Sequence, residues 1–169
     1  MSGPAMIKTA LCAAIGLALL PAAPALAQVV KIPNTSFPLI LQGAEVKAGT
    51  DLFFLSGQLA SPIDPTKTEV KSFDDLGDTK TQTISTLTKI KALLESKGYT
   101  MADLVKMTLF IAADPKLGKL DFAGANAGFK QFFNTADNPT TVARSAFQVA
   151  ALAGPYYLIE IEGIAAKKK

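Results

Sequence analysis

The stretch "TKTQTISTLTKIKALLESKGYTMADLVKMTLFIA", residues 79–112, changes its hydrophobic period midway, and that change decides the fold class. Up to Lys97, the residues Ile84, Leu87, Ile90 and Leu94 recur at helical spacing with lysines between them, which predicts an amphipathic helix over Thr79 to Lys97. Gly98 is placed to end it, because a residue free to take left-handed backbone angles commonly closes a helix. Thr100 and Asp103 then form a small capping pattern. From Leu104 the period falls to two, and Val105, Met107, Leu109 and Ile111 share one face of a strand.

Working outward gives the rest of the architecture. On the N-terminal side, "EVKAGTDLFFLSGQ" (45–58) reads as two strands, near 44–47 and 51–56, joined by a tight Ala48-Gly49-Thr50 turn. Residues 29–43, with Pro33 and Pro38, read as an extended lead-in, and "LASPIDPTKTEVKSFDDLGD" (59–78) reads as a surface loop. On the C-terminal side, a second helix is expected at about 119–134, with Phe122, Asn126, Phe129 and Phe133 on its stripe. Two final strands are "TVARSAFQVAA" (141–151) and "YYLIEIEGIAA" (156–166). The order is β-β-α-β-α-β-β, a single α+β domain with both helices on one face of a mixed sheet.

The first 27 residues read differently. Lys8 is their only charge, an apolar run from Thr9 to Leu20 follows it, and the segment ends Ala25-Leu26-Ala27. That is the order of a secretory signal peptide with an A-x-A cleavage site, and the run is shorter than the roughly 20 residues a membrane span needs. The expectation is therefore a periplasmic or secreted protein that begins at Gln28 and has no membrane contact after cleavage.

Residues 28–169 contain no cysteine and no histidine. This excludes a disulfide framework, a thiol nucleophile, a histidine base and a zinc site built from those ligands. No metal or cofactor is expected. The 16 basic residues of this part barely exceed the 14 acidic ones, and three of them are the terminal Lys167-Lys168-Lys169. The basic balance thus belongs to a tail, and no nucleic-acid partner is expected.

Sixteen lysines and one arginine, Arg144, make lysine the default cation of this chain. A lone arginine in an alternating apolar run fits a task needing a flat, permanently charged fork, of which carboxylate binding is the commonest. Alternation puts Val142, Arg144, Ala146 and Gln148 on one face, and Ala143, Ser145, Phe147 and Val149 on the other, which reads as the core side. Arg144 is then expected on a face its own helices leave uncovered. In "LIEIEGIA" (158–165), Glu160 and Glu162 point away from the core, about 7 Å apart along the strand. If these last two strands pair or meet across an interface, Arg144 and these carboxylates form a polar site; the pattern by itself favours a structural ion pair on a sheet face. Asn126 interrupts an apolar stripe, either as an amide satisfied by backbone or as a group reaching a polar cleft.

Four segments in this order resemble the Rid (YjgF) family: "LFFLSGQ" (52–58), "LVKMTLFIAA" (104–113), "DFAGANAGFKQFF" (121–133) and "VARSAFQVAAL…IEIEGIA" (142–165). The likeness spans about 46–165, so the chain divides into a signal peptide (1–27) and a Rid-like domain (28–169). The resemblance implies a chorismate mutase-like fold, a homotrimer with a small cleft at each subunit interface, and cofactor-independent chemistry. That chemistry is hydrolysis of reactive enamines and imines, of the 2-aminoacrylate and 2-iminobutanoate type, to 2-keto acids and ammonia. Carried over residue by residue, it makes Arg144 the substrate-carboxylate ligand and Glu160 the residue that positions water. Ser56, Gly57 and Asn126 line the cleft, and Glu162 receives no role. Where the family usually has proline, cysteine and a lead-in tyrosine, this chain has Val142, Ala146 and no clear counterpart near Ile40. The other reading is a non-catalytic trimer of the cell envelope that binds small carboxylates or acts as a holdase.

Overall fold

The computed structural model describes residues 28–168; the expected signal peptide and the last residue of the basic tail lie outside the described residues. Helix α1 (Thr79–Ser96) starts where the Asp78 carboxylate accepts the Thr81 N–H at 2.8 Å, and it stops at Gly98, whose φ is +75°. Leu87, Ile90 and Leu94 are wholly buried on its inner face. Each such side chain contributes about 1.5–3 kcal/mol by leaving water. A short turn follows, in which Thr100 N–H donates to Asp103 at 2.7 Å, and the chain enters β4 (Leu104–Ile111). Met107, Leu109 and Ile111 of β4 are also fully buried, as the period-two pattern requires.

The remaining strands are β1 (Val29–Pro33), β2 (Leu41–Val46), β3 (Thr50–Leu59), β7 (Ala143–Gln148) and β8 (Ile159–Lys168), with a small hairpin, β5 (Ala113–Asp114) and β6 (Lys119–Leu120), before α2 (Phe122–Phe129). The main sheet runs β1-β2-β7-β4-β8-β3. β7 is parallel to β2 and β4, while the other pairs are antiparallel, so the sheet is mixed. Both helices cover one face of it. The expected α+β class holds.

Several details differ from the sequence reading. The lead-in is itself a strand, β1, which tolerates its terminal Pro33 because it lies at the sheet edge. The loop at 59–78 is not wholly superficial: Leu76 is fully buried. Asp75 beside it pairs with Lys67 and accepts the Lys71 and Ser72 N–H groups, which hold its pKa down at about 2. Helix α2 is shorter than its apolar stripe. It continues as tight turns through Phe132, and Asn134, at φ 55°, redirects the chain.

The sheet divides into two unlike faces. Val142, Met107, Leu109, Ile159, Ile161 and Ala165 pack beneath the helices. The opposite face carries Phe147 and Phe110, which meet edge-on at 5.3 Å, together with Glu160, Glu162 and Phe54, the last 67% exposed. This corrects the assignment of β7. Arg144 is buried on the helix side, and Ser145 and Phe147 point away from it. The strand has the expected parity but the opposite direction, because the uncovered face is itself rich in apolar side chains.

Candidate functional site

Arg144 sits in register with Met107 of β4, beneath α2. Two contacts fix α2 there. Asp121 caps its first turn by accepting the Gly124 N–H at 2.8 Å. Gly128 lies against α1 so closely that a Cβ would stand 2.7 Å from the Thr83 Cβ, so only glycine allows the two helices this approach. The consequence is a guanidinium pressed under aromatic rings. Its carbon is 4.5 Å from the Phe129 ring centre and 5.7 Å from that of Phe122. Such stacking suits the planar, weakly hydrated arginine and would not suit lysine.

The hydrogen bonding of Arg144 is incomplete. Its Nη2 donates to the Asn126 Oδ1 at 2.7 Å, but its Nη1 is buried with no partner. Among the described residues, no carboxylate forms a salt bridge with it. Burial lowers its pKa from the usual arginine range to about 10, which still leaves a full positive charge at neutral pH. A buried cation without a counter-ion is costly in a folded protein. Here the cost is offset only in part, by one neutral amide and two ring faces.

On the far side of Asn126 from Arg144, α2 and the lead-in enclose an open depression, and Arg144 itself does not line it. Its lining includes Phe37, Pro38, Leu39, Asn126, Lys130 and Phe133. Asn134 donates to the Pro38 carbonyl at 3.0 Å and Thr141 to the Leu39 carbonyl at 2.8 Å, so the Phe37–Leu39 segment is tied along the end of α2.

Ser56, Gly57 and Glu160 gather elsewhere. The β3–β8 register shifts between Leu55, opposite Gly163, and Gln58, opposite Ile161, so Ser56 and Gly57 form a bulge opposite Glu162. The Glu160 carboxylate lies over Gly57, in space that any Cβ at 57 would fill. This group occupies the uncovered face. Within one chain it stands apart from Arg144 on the opposite face, with β4 between β7 and β8, about 10 Å of sheet. The structure therefore brings Asn126 to Arg144, and Gly57 to Glu160, and leaves the two pairs separate in a single protomer.

The family described as Endoribonuclease L-PSP matches residues 44–167. A RutC family protein of Pyrococcus horikoshii is 35% identical over 83% of this chain and 98% of its own length. The 2-iminobutanoate/2-iminopropanoate deaminase of Escherichia coli K12 is 35% identical over 70% of this chain and 81% of that protein. Among solved structures, E. coli TdcF with bound serine superposes with a TM-score of 0.55 at 33% identity, covering 82% of this chain and 94% of that one. The chain belongs to the Rid (YjgF) family. In this Rid chain the sequence reading omitted the aromatic platform of Arg144. Phe122 and Phe129, seven residues apart around Asn126, were its signal. It also omitted Lys31, whose ammonium donates to the Ala102 and Thr141 carbonyls at 2.8 and 2.9 Å.

Proposed function

We propose that this protein hydrolyses reactive 2-imino acids to 2-keto acids and ammonia, and that Arg144 holds the substrate carboxylate. The observation that carries this reading is the buried Arg144 guanidinium, with one Nη on Asn126, the other unpartnered and no carboxylate paired to it. A carboxylate would complete its hydrogen bonds and supply the missing charge. That relatives are named as 2-iminobutanoate/2-iminopropanoate deaminases, and that one neighbour holds serine, supports the same chemistry.

The separation of Arg144 from Glu160 sets the form of the site. Glu160, with Gly57 and Ser56, serves a substrate on Arg144 only from a neighbouring copy, so the active unit is an oligomer, and a homotrimer in this reading. The uncovered sheet face, with Phe54 and Phe147 exposed, is the surface for that assembly. In the closed cleft Glu160 accepts a hydrogen bond from a water. The water oxygen bonds to the imine carbon as Glu160 takes one of its protons and the C=N π electrons move to nitrogen, and Glu160 then returns that proton to the nitrogen. The carbinolamine hydroxyl then passes its proton, by way of Glu160, to the amine, the C–N bond breaks as C=O forms, and ammonia and the keto acid are released. Positioned acid–base help of this kind is worth about 10²–10⁴-fold. No cofactor takes part.

Turnover of freshly generated 2-iminobutanoate is the test. We expect Glu160→Gln to lower kcat by about 10²-fold with little change in KM, and Glu162→Gln to change neither. Light scattering should give three times the monomer mass. A clean monomer that still binds carboxylates would instead favour the binding-protein reading, because one chain holds the Arg144 half of the site alone. Residues 1–27 extend the proposal to a signal peptide preceding a Rid domain and to a periplasmic or secreted location. An envelope fraction whose N-terminus is Gln28 is the expected result.

A further inference from the structure

The depression lined by Asn126, the hydrogen-bond partner of Arg144, contains donors that the carboxylate clamp does not use. A guanidinium has no acceptor, so the Asn126 amide must turn its oxygen to Arg144, as it does at 2.7 Å. Its NH2 group is then directed away from the guanidinium, and Asn126 lines the depression. One helical turn further on, Lys130 lines the same depression and is exposed. Among the described residues Lys130 has no salt-bridge partner, and no aspartate or glutamate lines this depression. The rest of the wall is formed by the apolar Phe37, Pro38, Leu39 and Phe133 and by Asn134, whose NH2 group is already engaged on the Pro38 carbonyl. The result is an amide donor and an ammonium on one helix face above a greasy floor. That lining receives a short carbon chain ending in an anion.

We propose that Lys130 and the Asn126 amide form a second anion subsite, and that the favoured substrates are imino dicarboxylates of four or five carbons. The inference rests on the reading of Arg144 as the clamp for the first carboxylate. Four residues along α2 advance about 6 Å, so Asn126 and Lys130 are spaced to follow a short aliphatic chain away from Arg144. A monocarboxylic imino acid of the same length fills the apolar wall but leaves the Lys130 ammonium without a counter-ion. Discrimination then resides in the distal carboxylate, and charge at position 130 sets it.

Binding of stable analogues tests the subsite apart from catalysis. Succinate and butanoate have the same carbon count and differ by one carboxylate, and calorimetry at fixed ionic strength gives the ratio of their affinities. We expect succinate to bind at least tenfold more tightly. Lys130→Met should cut that ratio at least tenfold and Lys130→Arg should keep it. Lys97→Met, which removes an exposed lysine of the α1 C-cap, should leave it unchanged. Equal affinities in the parent protein, or a ratio that Lys130→Met leaves intact, would overturn the proposal, as would an equal loss of both ligands, which a merely structural lysine would give. Arg144→Ala should abolish binding of both. If both survive in Arg144→Ala, the clamp reading itself fails. If the ratio behaves as expected and no imine is hydrolysed, the subsite stands and the enzymatic reading falls. Turnover of the imines of aspartate and alanine supplies the kinetic counterpart, with the ratio of kcat/KM following the binding ratio.

Discussion

Two cations drawn out of bulk water, the half-buried Lys31 at the sheet edge and the buried Arg144 beneath α2, are treated in opposite ways by the same fold. The Lys31 ammonium bridges two main-chain carbonyls, those of Ala102 and Thr141, and so ties β1 to the turn before β4 and to the approach to β7. Its partners belong to the fold. Arg144 has one side-chain partner, two aromatic faces and an Nη1 with none. Burial lowers the pKa of both, to about 8 for Lys31 and about 10 for Arg144. The difference between them lies in completeness. Hydrogen bonds to the fold offset the cost of burying the first cation, whereas the second keeps an unmade bond and is ready for a ligand.

The largest effect that could break this comparison is on activity. Removing the guanidinium with Arg144→Ala deletes the charge-assisted bonds to a substrate carboxylate, worth about 3 kcal/mol or more together, and so should lower kcat/KM by about 10²-fold. Arg144→Lys keeps the charge but loses the planar fork and the stacking on Phe129, and we expect about a tenfold fall, or 1.4 kcal/mol. Lys31→Met should leave kcat/KM where it was. Steady-state rates on 2-iminobutanoate decide all three, and full activity in Arg144→Lys would remove the arginine from the role of clamp.

Stability should show the reverse order. Lys31→Met strips two carbonyls of their donors and should cost about 1 kcal/mol, less than a fully buried loss because water reaches part of this site. Arg144→Met replaces an incompletely paired buried charge by an apolar chain of similar length, a change often neutral or stabilising. We expect the urea midpoint to fall for Lys31→Met and to hold or rise for Arg144→Met. A marked loss of stability in Arg144→Met would mean that the fold, and not a ligand, is what Arg144 serves.

The sequence shows the framework better than it shows this contrast. α1, its Gly98 stop, the Thr100–Asp103 turn and β4 were legible because each rests on local chemistry: a stripe, a left-handed glycine, a cap and an alternation. β7 was legible only in parity. Alternation gives direction when one face meets water, but Phe54, Phe110 and Phe147 make the uncovered face of this sheet apolar too. Arg144, as a charge, was therefore assigned outward, although ring faces can cover a guanidinium inside. Arg144 and Asn126 were each legible as exceptions to their surroundings, while their 2.7 Å contact joins residues 18 apart in sequence, and no local pattern contains it. Lys31 gave no signal, since its partners are carbonyls that every residue possesses.

The smallest effect is the most specific to Lys31, and it is read from stability against pH. Desolvation is the larger influence on this ammonium and lowers its pKa from 10.5 to about 8, while the Asp103 carboxylate opposes the shift. Below pH 8 the lysine is protonated in both the folded and the unfolded chain and contributes no slope. Between about 8 and 10.5 the unfolded chain binds a proton that the folded chain does not, so stability rises with pH. The neutral amine still has two N–H groups for the Ala102 and Thr141 carbonyls, so the clamp survives the loss of its charge. One proton sets a ceiling of about 1.4 kcal/mol per pH unit, and partial solvation reduces it, so we expect a gain of roughly 0.3–0.5 kcal/mol from pH 8 to 9.5. Other lysines titrate at the upper end of this range, and the parent-minus-Lys31→Met difference cancels them. A difference that is flat across this window, or that falls as pH rises, would place Lys31 in water and undo its half of the comparison.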